Sequence, residues 1–320
     1  MTAWPHSLSS TLSRRALLTG SASLIAAPLF GTVPARARDP DMVSVLVGDW
    51  GRNGHDHQRE VAAEMARVAE RSRSIFTVSL GDNFYEDGVS GVDDPQWRSS
   101  FEDIYDAPSL QTPWRIILGN HDYRGSVEAQ LRYGANGHKR WLLPARYYSV
   151  RDRLPDGTTI DSFYIDTSPF LKKYRHSIVR IDDQDPRAQQ AWLSEALGRS
   201  DADWKFVIGH HPIHTGDGRH ETPELIAAIA PLLRHYRVAA YISAHKHNFQ
   251  HRRIGGIDYI VNGAGSRLDP AGVALGGAFT NDGQHGFMTM RVARDLVEIG
   301  FIGGSGKTLF SRRIPRPTAL

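Results

Sequence analysis

The 320-residue sequence contains no cysteine, which excludes disulfides and thiolate metal sites; any bound metal must be held by nitrogen and oxygen. It has no run of five basic residues, the usual signature of a track along a nucleic-acid backbone. No apolar run approaches the ~20 residues that a membrane-spanning helix requires. Internal repeats and low-complexity linkers are also missing, so the length is best used by one domain of sheets covered by helices.

The N-terminus is of a different kind. SRRALL (13–18) is a twin-arginine pattern, an apolar run follows to Phe30, and A-R-A occupies 35–37. Residues 1–37 are therefore expected to be an export leader, and 38–320 the mature domain, periplasmic or secreted, with no stable membrane anchoring after cleavage. The leader holds three of the 38 basic residues and none of the 35 acidic ones, which leaves 35 against 35. The overall pI of about 9.1 thus owes much to the leader, and nucleic acid is not an expected partner. Because the twin-arginine route carries folded proteins, it points to a cofactor assembled before export.

Beyond the leader, strand and helix patterns alternate. VSVLV (43–47), IFTVSL (75–80), RIIL (115–118), FYID (163–166), KFVI (205–208), AAYIS (239–243) and DYIV (258–261) read as short buried strands. Val61, Met65 and Val68 mark one helix face, and 187–197 and 223–235 read as further helices, the last opened by Thr222 and Pro223. The tail, 286–314, reads as a β-meander. Within it GGSGKT (303–308) resembles a phosphate loop, but Phe301 stands where that motif needs glycine, so a hairpin turn is expected.

Five of these strands end in a small residue followed by a metal-capable side chain. GDWG carries Asp49, GDNFY carries Asp82 and Tyr85, GNHD carries Asn120 and His121, GHHP carries His210, and AHKHN carries His245 and His247. Any single loop is explicable as turn chemistry. In an α/β protein, however, the carboxyl ends of the strands converge on the ligand crevice. Gly48, Gly81, Gly119, Gly209 and Ala244 are expected to let the backbone turn sharply and aim the next side chain there.

The five motifs resemble those of the binuclear metallophosphoesterases. Asp82 followed three residues later by Tyr85, with LGDNFYEDGV, FEDIYD, GNHDYRG and VNGAGS, narrows the resemblance to the tartrate-resistant branch of the purple acid phosphatases, over about residues 43–270. It implies a four-layer α-β-β-α sandwich of two mixed sheets. It further implies that Asp49, Asp82, Tyr85 and His247 bind Fe(III), while Asp82, Asn120, His210 and His245 bind a divalent Fe, Zn or Mn ion, with Asp82 bridging. Hard donors without sulfur suit such a pair. The implied chemistry is metal-assisted hydrolysis of a small-molecule phosphomonoester by a monomeric acid phosphatase with an acidic pH optimum. A phosphodiesterase, or a redox-active di-iron protein, is the alternative for the same centre.

By the same resemblance His121 binds phosphate or protonates the leaving group, with Asp122 orienting it and Asn120 also near substrate. In the loop after His210, His211, His214 and His220 are either substrate contacts or solvated loop histidines; His214 and His220 are taken here as substrate-binding. The family's usual histidine in that loop aligns with Arg219 instead. Ala244 replaces the usual glycine and would be strained by ~1–2 kcal/mol if its φ were positive. Trp50, Phe84 and Tyr123 form either an aromatic rim for substrate or ordinary packing.

Overall fold

Strand β1 (Met42–Val47) is buried at every position, and its side chains alternate between two apolar environments. Val45 and Val47 pack with residues of the helices, whereas Met42 and Leu46 join a cluster to which no helix contributes. The central strands on the other side repeat the pattern: Phe206, Ile208 and Ile242 face the helix-free cluster, and Val207 and Tyr241 face the helices. Two sheets therefore pack face to face, with helices outside, as period-two alternation of doubly buried strands demands.

The computed structural model describes residues 41–317, so the expected leader at 1–37 lies outside the described residues. The remaining strands in chain order are β2 (Phe76–Ser79), β3 (Trp114–Ile116), β4 (Trp141–Leu142), β5 (Tyr148–Arg153), β6 (Thr159–Tyr164) and β7 (Trp204–Ile208). They continue with β8 (Ala240–Ser243), β9 (Phe249–Ile254), β10 (Ile257–Asn262), β11 (Phe279–Asn281), β12 (Gly286–Val292), β13 (Leu296–Gly303) and β14 (Thr308–Pro315). One sheet runs β14-β13-β12-β1-β2-β3-β4 and the other β11-β9-β10-β8-β7-β6-β5. Both are mixed: β1 to β4 are mutually parallel, as are β6, β7, β8 and β10, while β12, β9 and β5 pair antiparallel. The expected four-layer α/β sandwich is the one observed.

Helix α1 (Gln58–Ser72) buries Val61, Met65 and Val68, and Arg73 ends it in a left-handed conformation. α2 (Val127–Ala135), which the sequence pattern did not reveal, starts where the Ser126 hydroxyl accepts a hydrogen bond from the Ala129 N–H. α3 (Pro186–Arg199) starts at Asp185, whose carboxylate accepts from the Arg187 N–H. The single helix expected over 223–235 is instead two, α4 (Pro223–Ala228) and α5 (Ala230–His235), broken at Ile229. Pro231 explains the break, since it has no N–H to give and its ring clashes with the preceding turn. GGSGKT is the β13–β14 hairpin turn, with Gly306 at φ 80°. Among the described residues no helix is long and apolar enough to cross a membrane.

Candidate metal centre

The parallel strands of both sheets deliver their carboxyl ends to one place. Asp49 follows β1, Asp82 follows β2, Asn120 and His121 follow β3, His210 follows β7, and His245 and His247 follow β8. The backbone bends differently from the expectation. The left-handed residues are Asp49 (φ 59°), Asp82 (φ 51°) and His245 (φ 66°) themselves, and of the five small residues before the ligands only Gly81 has positive φ. Ala244 therefore bears no such strain. Small residues are needed there for close approach: a Cβ on Gly48 would lie 2.4 Å from that of Ala244, so the two sheets nearly touch beneath the site. Strained residues that carry the chemistry are a recurrent feature of functional sites.

Two groups of donors share Asp82. In the first, the Tyr85 hydroxyl lies 2.8 Å from Asp49 Oδ1, 3.1 Å from Asp82 Oδ2 and 3.1 Å from His247 Nε2. His247 Nε2 is 3.5 Å from Asp49 Oδ1, and its Nδ1 lies 3.5 Å from Asp269, a carboxylate placed to orient the ring. Burial and the charges of Asp49 and Asp82 push the Tyr85 phenol well above its ordinary value, so only a strong local cation would ionise it. The Arg52 guanidinium covers the tyrosine ring at 3.6 Å.

In the second group, Asn120 Oδ1 and His245 Nδ1 are buried and without a hydrogen-bond partner, and buried His210 Nε2 meets only the carboxylate of Asp82. Such orphaned atoms are rare unless something outside the protein satisfies them. The Leu80 carbonyl lies 2.8 Å from His210 Nδ1, which puts a proton there and turns Nε2 toward Asp82 Oδ2 at 3.2 Å. Burial opposes the imidazolium, but Asp82 outweighs it and brings His210 up to about 9. Without a cation, His210 and Asp82 are thus an ion pair, and a metal would have to displace the Nε2 proton. Asp82 itself is opposed by burial yet held well below the ordinary carboxylate range by His210 and His121. Oxygen and imidazole donors with orphaned lone pairs, grouped around one shared carboxylate, fit a pair of hard or borderline metal ions.

A third histidine, His211, joins His210 and His245 in a metal-sized cluster. Its ring nitrogens are already engaged, Nδ1 with Thr167 Oγ1 at 2.8 Å and Nε2 with the Tyr174 hydroxyl at 3.0 Å. Burial and the neighbouring His210 depress it well below an ordinary imidazole, so it stays neutral. It is a buried wall, not a solvated loop histidine.

His121 is held at the mouth. Its backbone N–H donates to Asp82 Oδ1 at 2.7 Å, its Nδ1 meets the Glu86 carbonyl at 2.5 Å, and its Nε2 lies 3.9 Å from Asp82 Oδ2. Asp122 does not orient this ring as expected. Its carboxylate accepts from the backbone N–H groups of Gly119 and Asn83 and from the Gln130 amide, tying the loops after β2 and β3 together. Burial and the neighbouring Asp82 charge raise it to about 7. The ring-orienting partner is the Glu86 carbonyl, a main-chain group whose role no side-chain motif marks.

His214 is bound to Glu221 at 3.0 Å and does not line the cavity beside His245, whereas His220, 3.0 Å from Asp217, does. Arg219 does not line it either. Trp50, Phe84 and Tyr123 form no rim, being fully or almost fully buried. Trp50 packs against Phe84, Phe101, Tyr105 and Trp114, because apolar rings at the base of the turns anchor the loops from below.

These features define a metallophosphoesterase, and the calcineurin-like phosphoesterase family model matches residues 42–249, from β1 to just past His247. Purple acid phosphatase 7 of Arabidopsis thaliana is 35% identical over 305 residues, 89% of this chain and 90% of that protein. Human tartrate-resistant acid phosphatase type 5 is 32% identical over 306 residues, 87% of this chain and 92% of its own. The chain belongs to the purple acid phosphatase family of binuclear metallophosphatases. Among solved structures, GAP50, the anchor in the inner membrane complex of Plasmodium, has the same fold (TM-score 0.77, 23% identity, 88% of this chain and 90% of that one). So does the purple acid phosphatase PPD1 from yellow lupin (Lupinus luteus) seeds (TM-score 0.65, 15% identity, 87% and 54%).

Proposed function

We propose that the protein is an exported acid phosphatase that hydrolyses phosphomonoesters at a centre of Fe(III) and a divalent ion. One observation supports this most: Asp82 Oδ2 lies 3.1 Å from the Tyr85 hydroxyl and 3.2 Å from His210 Nε2, so a single carboxylate faces both donor groups. Asp49, Asp82, Tyr85 and His247 would hold the ferric ion; Asp82, Asn120, His210 and His245 would hold Fe, Zn or Mn(II). When bound, such a pair supplies Lewis acidity and a nucleophile from water below neutral pH.

The chain's own residues do the rest. The Glu86 carbonyl keeps a proton on His121 Nδ1 and leaves Nε2 pointing at the site, where it can bind a phosphoryl oxygen or give its proton to the departing alkoxide. Asp122 holds the Asp82 and Asn120 loops in register. Twin-arginine export to the periplasm or beyond, proposed from SRRALL and the A-R-A site, would deliver a monomer already loaded with metal.

The pH–rate profile for p-nitrophenyl phosphate, measured on metal-loaded protein with Asp82→Ala as control, tests this. An activity maximum below pH 7 that disappears in the variant is expected. Turnover of bis(p-nitrophenyl) phosphate in preference to the monoester would make the protein a diesterase instead.

A further inference from the structure

A cavity of about 250 Å³ opens beside His245, with His211 and His245 in its wall together with Lys173, Lys246, His220 and Glu224. Its charge is unbalanced. Among the described residues neither lysine ammonium lies within 4.0 Å of a carboxylate. Of the acids in the same wall, Glu221 Oε1 is 2.9 Å from Arg252 Nη1 and 3.0 Å from His214 Nδ1, while Glu224 accepts the Lys172 N–H at 3.3 Å and its charge acts on Lys173, so it offsets one of the two lysines.

Both lysines are anchored by the site itself. Lys246 lies between His245 and His247, and its N–H donates to the Ala244 carbonyl at 2.7 Å. The Lys173 ammonium sits 4.8 Å from the centroid of the Tyr174 ring, whose hydroxyl meets His211 at 3.0 Å. Two cations in no close ion pair, with only Glu224 to offset them, on the wall that also carries a donor of the metal centre, attract negative charge beyond that of the reacting phosphate.

Taking the hydrolase assignment above as given, we propose that Lys173 and Lys246 form a subsite for a second anionic group. The preferred substrates are then phosphomonoesters whose leaving group carries a carboxylate or a further phosphate. Two partly exposed ion pairs of this kind raise affinity by about tenfold together.

The test compares two substrates that differ only in a carboxylate for a hydroxymethyl group, 3-phosphoglycerate and glycerol 3-phosphate, with 3-hydroxypropyl phosphate and its bisphosphate as the phosphate pair. The expected kcat/KM ratio in the metal-loaded enzyme is about ten in favour of the partner that carries the second anionic group, in at least one pair. It should fall toward one in Lys173→Met, in Lys246→Met and at high salt. Ratios near one in the wild type, or ratios indifferent to both substitutions, overturn the proposal; which pair responds tells carboxylate from phosphate. Calorimetry with 4-phosphonobutyrate and butylphosphonate reads the same preference without turnover. Failure to hydrolyse p-nitrophenyl phosphate would overturn the hydrolase assignment, and unequal phosphonate affinities would still report on the subsite.

Discussion

A Cβ placed on Gly119 would lie 2.1 Å from Oδ1 of Asp82 and 2.3 Å from its backbone nitrogen, so the loop after β3 rests directly on the carboxylate shared by both donor groups. Gly119→Ala must push the two loops apart, and a shift of about 1 Å at reacting groups can cost ~100-fold in rate. The expected result is folded protein with less than stoichiometric metal, measured by elemental analysis beside circular dichroism.

Tyr85→Phe removes one anionic donor while leaving Asp49, Asp82 and His247 in place. Loss of a single ligand should weaken the ferric ion far more than the divalent one, because Tyr85 stands with Asp49 and His247 and shares only Asp82 with the other group. Metal analysis should show selective loss of iron, and any visible absorption from phenolate-to-iron charge transfer should vanish.

His121→Gln keeps a polar side chain but cannot deliver a proton from Nε2. A drop of ~10²–10⁴ in kcat is expected for alkyl phosphates. Aryl phosphates, whose leaving group needs less protonation, should suffer less. Metal content should be unchanged, which separates proton donation from a role in building the centre.

Asp166, which is not itself one of the donors, gives a pH prediction. Burial raises its carboxyl to about 7 against the pull of its hydrogen bond from the Tyr123 hydroxyl and of Arg146. The folded state then binds the proton more tightly than the unfolded chain, so this contribution to stability is complete below pH ~4 and lost as pH rises to ~7. Denaturant midpoints of Asp166→Asn, which mimics the protonated acid, should decline less across that window than those of the wild type.

Trp50→Ala tests whether that ring belongs to the core or to a substrate rim. A fully buried tryptophan truncated to alanine should cost ~3–5 kcal/mol of stability. Preference between aryl and alkyl phosphates should stay the same in whatever fraction remains folded.

Much of the centre was legible because its donors come from short loops at strand ends, where glycine, aspartate, asparagine and histidine stand out against apolar runs. Asp49, Asp82, Tyr85, Asn120, His210, His245 and His247 were all visible in this way, and the structure brings them together. Helix α2 and strands β4, β5, β9 and β11 were not, since their partly exposed or very short sequences carry little periodicity. Asp122, expected to orient His121, instead turns its carboxylate inward to backbone N–H groups, a choice that no local pattern encodes.

By itself, then, the sequence determined the order of most buried strands, the set of candidate donors and the family to which they point, because these depend on local pattern and spacing. Only the tertiary structure decided that the left-handed turns fall on Asp49, Asp82 and His245, that Trp50 and Tyr123 lie inside, and that Lys173 and Lys246 line one cavity with neither in a close ion pair. Those properties arise from the packing of two sheets and the loops between them, where residues far apart in the chain set one another's space and charge.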